Sequence, residues 1–424
     1  MIPQEVSSTE LLTQPLVLAV IQSLVAAELK SLRPQQANQI FAEDWSAATQ
    51  LQSRPGASAD LCLQVDSIER MALATALVDF FQLAESGLED YLLRWNTLGQ
   101  WADLVIEARR RGSQDLHFLT SGTAGEPKVC AHAWPQLVEE VRFFAAEFER
   151  QMPGPPQRLL ALSPCHHIYG FLFSVLLAAH WQVPVVRGQA AFFAVQARRL
   201  KAGDVLVGYP LVWKHLARNQ QPFPPGVLGL TSTAPCDPLL IHQLLNQGLG
   251  QMIEIYGSSE TAGVGWRCHP EQPFELLPRW EASAQPHQLV DHHTQQQQQL
   301  SDALEWQDAR HFYPRGRLDA AVQVAGVNVF PQRIARQLAA LPGVHQAQVR
   351  LMQPHEGERL KAFIVLNQPE QQAEMLVKLQ AYCADHLSPP ERPVAFTFGT
   401  SCPVNALGKP SDWPISSSAE WINS

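Results

Sequence analysis

The residues best equipped for chemistry lie between Thr120 and Lys128, reading TSGTAGEPK. Gly122 and Gly125 permit backbone conformations that turn successive N–H groups toward one point. Thr120, Ser121 and Thr123 add hydroxyl donors, and Lys128 closes the stretch with a compact positive charge. Such a loop can wrap a phosphate. It is not the GxxxxGK[ST] loop, because its glycines are spaced differently and a proline precedes the lysine. The run Leu116-His117-Phe118-Leu119 before it can serve as a buried strand. A loop rich in serine, threonine and glycine can also be a plain connection.

The stretch resembles the phosphate loop of the adenylate-forming (AMP-binding) superfamily of acyl-CoA synthetases, aryl acid ligases, luciferases and peptide-synthetase adenylation domains. Further stretches match in the superfamily's order. Ser163-Pro164-Cys165-His166-His167-Ile168-Tyr169-Gly170 resembles its P-x-x-H-x-x-G region. The resemblance puts His167 near the acyl pocket and thiol tunnel, where Tyr169 and Phe171 could line the acyl site or simply pack a core. Thr231 to Pro235, with Thr233 at its centre, falls at the small-residue turn against adenine and acyl group. Tyr256-Gly257-Ser258-Ser259-Glu260 resembles the YGxTE motif. There a tyrosine face can stack on adenine, and a carboxylate at a strand end suits Mg²⁺. Trp266-Arg267 follows, within reach of a substrate by the same analogy.

Asp302 takes the place of the aspartate that bonds both ribose hydroxyls, an acceptor-only group matched to a vicinal diol. Gly316-Arg317-Leu318-Asp319 resembles the hinge before a small lid domain, with Arg317 on ribose or phosphate and Asp319 absorbing the lid's rotation. Two departures from the pattern follow, Gln323 for a common lysine and Gln332-Arg333 for an acidic residue. Pro403 to Lys409 resembles the terminal P-x-x-x-x-GK loop. Lys409 is then the candidate catalytic lysine, reaching carboxylate and α-phosphate. The implied catalytic set is Lys409, His167 and Glu260, and the implied cofactors are ATP and Mg²⁺.

The elements positioning these groups read as short apolar runs alternating with helices from residue 115 onward, as in an α/β sheet. Strands are expected at 205–208 and 227–230. A small α+β lid should follow, with helices near 332–340 and 370–386 and strands at VHQAQVRL, RLKAFIVL and AFTF. Residues 284 to 300, glutamine-rich, read as a solvated loop or hairpin tip.

Helices are also expected at 16–29, from Asp66 or Ser67 onward, and at 100–110. They resemble an acyl carrier protein, with Asp66-Ser67-Ile68 opening its second helix. That resemblance would make Ser67 a phosphopantetheine attachment site, although Asp66 and Glu69 also make an ordinary helix-capping pair. Arg109-Arg110-Arg111 reads as a solvated linker or a contact for an acidic carrier. The expected fold is thus α/β: an all-α carrier-like segment (1–112), a truncated AMP-binding core (113–318) and a lid (319–424).

The 424 residues are 46% hydrophobic and 17% charged, which supports ample core. A net charge of −9 argues against nucleic-acid binding. Seven cysteines without CxxC spacing indicate neither zinc nor a disulfide scaffold. No signal peptide is recognisable, the longest apolar run noted (Tyr169 to Trp181) is too short for a bilayer, and cytoplasm is the expected compartment. The resemblance implies activation of an aromatic acid and transfer to an acyl carrier protein, as in aryl-polyene-type pathways. Free CoA is the alternative acceptor, and a non-catalytic scaffold the alternative from another class.

Overall fold

The structure, a computed structural model, describes residues 11–52, 62–112, 115–120, 128–219, 221–318, 321–368, 372–403 and 411–415. Pro15 in the first turn opens α1 (Gln14–Leu32). By length and composition this helix could cross a bilayer, which the sequence reading overlooked. Val17, Val20, Ile21, Val25 and Leu29 instead lie in the protein core. A parallel pair, β1 (Gln50–Gln52) and β2 (Cys62–Gln64), follows. α2 (Ser67–Phe81) starts on a capping box in which Asp66 accepts from the Ile68 and Glu69 N–H groups and Glu69 accepts from that of Asp66. A second box, Thr97 with Gln100, starts α3 (Leu98–Arg111).

The amino-terminal segment is therefore not all-α, since it includes a β pair. Nor does it pack as a separate bundle. Its core residues, from Leu12 to Ala108, belong to one apolar cluster with residues as distant as Phe312. The arginine run divides: Arg109 is buried with its guanidinium over the Trp134 ring, while Arg110 and Arg111 pair with Glu107. Burial lowers the Arg109 pKa to about 10, against the opposing pull of the Asp115 charge.

The hairpin β3 (Leu116–Thr120) and β4 (Lys128–His132) pairs Thr120 with Lys128. Then come α4 (Trp134–Gln151), β5 (Arg158–Ala161), α5 (Ile168–Trp181) and β6 (Val185–Arg187). α6 (Gly188–Gln196), β7 (Asp204–Gly208), α7 (Pro210–Leu216), β8 (Leu228–Thr231) and α8 (Pro238–Asn246) continue the alternation. β9 (Gln251–Ser258), β10 (Ala262–Arg267), β11 (Phe274–Leu276), β12 (Trp280–Ala282), β13 (Gln288–Asp291), β14 (Gln297–Gln299), β15 (Asp302–Trp306) and β16 (His311–Arg317) complete it. Nine strands form one sheet in the order β15-β16-β11-β10-β9-β8-β7-β5-β6. The strands from β6 to β9 run parallel and those from β9 to β15 antiparallel.

The parallel strands read as unbroken apolar runs because both faces are covered. Successive side chains alternate between faces. Val205 and Val207 enter the cluster shared with α1–α5, whereas Leu206 enters a second cluster with α6, α7 and α8. The glutamine-rich stretch forms the antiparallel pair β13–β14, with Leu289 anchoring it in the core.

The carboxy-terminal unit has its own core. It comprises the hairpin β17 (Val322–Val324) and β18 (Val327–Val329), α9 (Pro331–Ala339), β19 (Val344–Leu351), β20 (Leu360–Leu366), α10 (Gln372–His386) and β21 (Pro393–Gly399). Lys361 is fully buried there, bonded to Glu356 at 2.6 Å, Asp412 at 3.0 Å and the Trp413 carbonyl at 2.6 Å.

One buried carboxyl ties α4 to the sheet. Glu140 accepts from the Gly263 N–H through both oxygens, at 3.0 and 3.1 Å, and burial raises its pKa from 4.5 to about 7. Its charged form is disfavoured in the fold, so its contribution is complete below pH 4.5 and declines as pH rises to about 7. Glu140→Gln keeps an acceptor and removes the titration. Urea unfolding should show the variant gaining on the native protein by up to about 3 kcal/mol between pH 4.5 and pH 8. A constant difference across that range would refute this.

Candidate active site

The sheet's antiparallel half gathers the charged groups. Asp302 and Arg317 are direct cross-strand partners of β15 and β16, with Nε and Oδ1 3.6 Å apart. Tyr256, on β9, donates its hydroxyl to Asp302 at 2.7 Å. Burial, then the Asp302 charge, pushes the Tyr256 pKa far up, so the phenol remains a donor. Its ring meets Phe312 edge-on at 5.5 Å and Phe274 at 5.7 Å. Three residues separated by up to 61 positions thus form one cluster, as the motif order anticipated.

Beyond Tyr256 the strand turns sharply. Gly257 has no alternative residue, since a Cβ there would stand 2.1 Å from the Ala262 carbonyl oxygen. The Ser258 hydroxyl accepts from the Glu260 N–H at 3.2 Å, and the Thr261 hydroxyl accepts from the Ser258 N–H at 3.0 Å. His132 Nε2 donates to the Ser259 carbonyl at 2.7 Å, fixing the turn to β4. Glu260 then lies 3.5 Å from Lys128 at the base of the same hairpin. The hairpin therefore brings the lysine of the phosphate stretch to the carboxylate of the YGSSE stretch.

A lone carboxylate of this kind matches what Mg²⁺ takes from protein when phosphates and water supply its remaining oxygens. Among the described residues no group of three or more His, Cys, Asp or Glu side chains forms a metal cage.

His167 sits at the start of α5, with its carbonyl accepting from the Phe171 N–H at 2.8 Å. The tight turn explains the P-x-x-H-x-x-G spacing, because a Cβ on Gly170 would stand 2.0 Å from the Pro164 carbonyl. His167 is an exposed residue, and desolvation by the protein around its ring lowers the imidazole pKa. Tyr169 points into the core, where its hydroxyl is buried without a hydrogen-bond partner. Phe173 packs on its ring at 5.3 Å, and Phe171 meets Phe118 at 5.7 Å.

Thr233 adopts a left-handed backbone (φ 75°) after β8. The β17–β18 turn approaches it: a Cβ on Gly326 would be 3.2 Å from its hydroxyl. Arg267 is occupied by Glu254 at 2.6 Å and by the Phe274 ring, and Trp266 is packed on Phe143. Ser67 is exposed at the first turn of α2, beside the capping box. Ser121, Gly122, Thr123, Gly125, the Thr120 side chain, Asp319 and Lys409 lie outside the described residues. The sequence reading missed His132, Glu140 and Ser23, whose partners are more than a hundred positions away and carry no motif.

The AMP-binding enzyme family matches residues 94–295. A 4-coumarate–CoA ligase of Halorhodospira halophila is 35% identical over 93% of this chain and 97% of that protein. A 4-coumarate–CoA ligase of Rhodobacter capsulatus is 36% identical over 83% and 90%. A 3,4-dihydroxybenzoate–[aryl-carrier protein] ligase of Bacillus anthracis is 25% identical over 69% and 71%. Among solved structures, o-succinylbenzoate CoA synthetase from Bacillus subtilis superposes with a TM-score of 0.56 at 16% identity, covering 93% of this chain and 91% of the other.

Tyr256→Phe removes a hydrogen bond to a charged acceptor from a half-buried site. It should lower the unfolding free energy in urea by about 1–2 kcal/mol. In Asp302→Asn the same Tyr256 change should cost measurably less, and equal costs in both backgrounds would mean that the bond contributes nothing.

Proposed function

The chain belongs to the AMP-binding enzyme family and is an AMP-forming acid–thiol ligase, and from that premise we propose that its acid is a hydroxylated aromatic one of the hydroxycinnamate type and its acceptor free CoA. The observation that carries the acid is the Tyr169 hydroxyl, buried with no partner. A buried polar atom left unpaired costs free energy that a substrate hydroxyl would recover. Phe173 supplies an apolar ring beside it. Relatives named 4-coumarate–CoA ligase support both halves of the reading. They favour CoA over the carrier protein that the sequence first suggested, and nothing supports the aryl-polyene assignment or phosphopantetheine on Ser67. The carrier-linked relative keeps transfer to a carrier protein as the second reading.

In the proposed reaction the acid's carboxylate attacks the α-phosphorus of ATP, releasing pyrophosphate and leaving an acyl-adenylate. The thiol then attacks its carbonyl carbon, releasing AMP. The 120–128 stretch and Lys128 hold phosphates, Asp302 and Arg317 hold the ribose side, and Tyr256 flanks the adenine. Glu260 would hold Mg²⁺, which when bound neutralises phosphate charge. Lys409 stabilises charge on the first transition state. His167 stands where acid and thiol meet. The division at the 319 hinge follows the same reading, with Asp319 turning the carboxy-terminal unit between steps.

Pyrophosphate release with ATP and Mg²⁺ should appear with hydroxycinnamic acids and lead, with CoA, to a thioester of matching mass. A product mass on a holo carrier protein but not on CoA would select the second reading. Lys409→Ala should abolish nearly all release. Tyr169→Phe should shrink the preference for 4-hydroxylated over unsubstituted acid, as kcat/KM, by about ten-fold or more. Equal losses for both acids would remove Tyr169 from that role.

A further inference from the structure

We propose that Ser23, on α1, is a positioning residue for the acid–thiol site, setting through His166 the place where His167 stands. The proposal rests on the ligase reading above. Ser23 Oγ lies 2.7 Å from His166 Nδ1 across 143 positions of sequence. One helical turn earlier on the same face of α1, the Ala19 carbonyl accepts from Cys165 Sγ–H at 3.2 Å. Two consecutive residues of the loop before α5 are thus pinned to the amino-terminal helix. The His166 ring in turn packs against that of His167, centroids 4.2 Å apart and planes tilted by 48°. Among the described residues the His167 imidazole takes no hydrogen bond, so packing sets its direction.

The arrangement is more than helix packing. A serine inside a helix can bond the carbonyl four residues earlier. Here that carbonyl, Ala19, receives the Cys165 thiol, and the serine hydroxyl meets an imidazole instead. Ser23 is buried, and alanine would be the better helix former at its place. Alanine there would leave His166 Nδ1 without its 2.7 Å partner, so stability alone does not tell a positioning serine from a structural one, and kinetics decides. Burial, the adjacent His167 and the nearby Lys30 all disfavour a charge on His166. A neutral ring held at Nδ1 keeps one tautomer and one orientation, and it does not repel whatever charge develops at His167.

The test uses the full chain as native protein, Ser23→Ala, Ser23→Thr, His166→Phe and the Ser23→Ala/His166→Phe double variant. Ser23→Ala should lower kcat for CoA-thioester formation about ten-fold, as a small misplacement near reacting atoms does, while KM for ATP stays within about two-fold. Ser23→Thr should restore most of the loss. With His166→Phe already present, adding Ser23→Ala should cost nothing more. An unaltered Ser23→Ala rate, or the same loss in both backgrounds, overturns the proposal. If the native protein makes no thioester with any acid, the ligase reading fails by itself. Carbethoxylation of His166 by diethyl pyrocarbonate, followed by peptide mass, then decides separately. Its rate should rise about five-fold or more in Ser23→Ala and return with threonine, because the occupied Nδ1 becomes free. An unchanged rate overturns the proposal.

Discussion

The hydrogen bond from Tyr256 to Asp302 is the constraint on which the antiparallel half of the sheet depends. Their strands, β9 and β15, are separated by β10, β11 and β16. Four strand spacings in a flat sheet would set them about 19 Å apart. A tyrosine and an aspartate side chain span only part of that distance, so a 2.7 Å bond requires the antiparallel half of the sheet to curl back over itself. Register breaks at Gly263/Gly265 and at Asp302/Leu304 sit on the strands that must bend, where bulges increase local twist. The rings of Tyr256, Phe274 and Phe312 fill the inside of the curl. Asp302 and Tyr256 are thereby held by sheet geometry rather than by a loop.

The acid side depends instead on helices. The amino-terminal helices bury their apolar faces in the same core as α4, α5 and one face of the sheet. Arg109 covers Trp134 at the start of α4, and Glu140 of α4 holds the backbone of β10 just past the YGSSE turn. Residues before the phosphate stretch thus support groups on both sides of the site. The chain spans 97% of a relative's length, so the expected truncation of the core is not found, and the segment belongs to the large domain's own core rather than to an independent carrier.

Local chemistry was legible in the sequence. Asp66 and Glu69 announce a capping box, and one is present; β7 and β8 begin and end within a residue or so of their apolar runs. Motif order assigned Asp302 to the ribose hydroxyls and Arg317 to ribose or phosphate, and the structure adds that the two are cross-strand partners. What could not be read is contact at long range. Ser23 with His166, His132 with Ser259 and Glu140 with Gly263 each join residues through the fold alone. The carrier-like reading failed for the same reason. Helix caps and apolar periodicity are real in α2 and α3, but they do not state which surface the apolar face will meet. The apolar length of α1 is equally silent, since a core helix and a membrane helix share it.

The carboxy-terminal unit shows how weakly two parts can be joined while each is firmly packed. No buried apolar cluster among the described residues includes members of both the sheet core and the β17–β21 core. Contacts that do cross include the close approach of Gly326 to Thr233 and the Lys214–Glu358 ion pair at 2.5 Å. Both charged side chains of that pair are more than half exposed, and such pairs contribute about 0–1 kcal/mol. Breaking that pair costs far less than disturbing either core. The two steps of an AMP-forming acid–thiol ligase, attack of a carboxylate oxygen on phosphorus and attack of a thiol on the carboxyl carbon, need different groups beside the acid, first a cation for the leaving pyrophosphate and then room for a thiol. The carboxy-terminal unit carries its own core, and the contacts by which it meets the sheet domain include an exposed ion pair and a glycine turn.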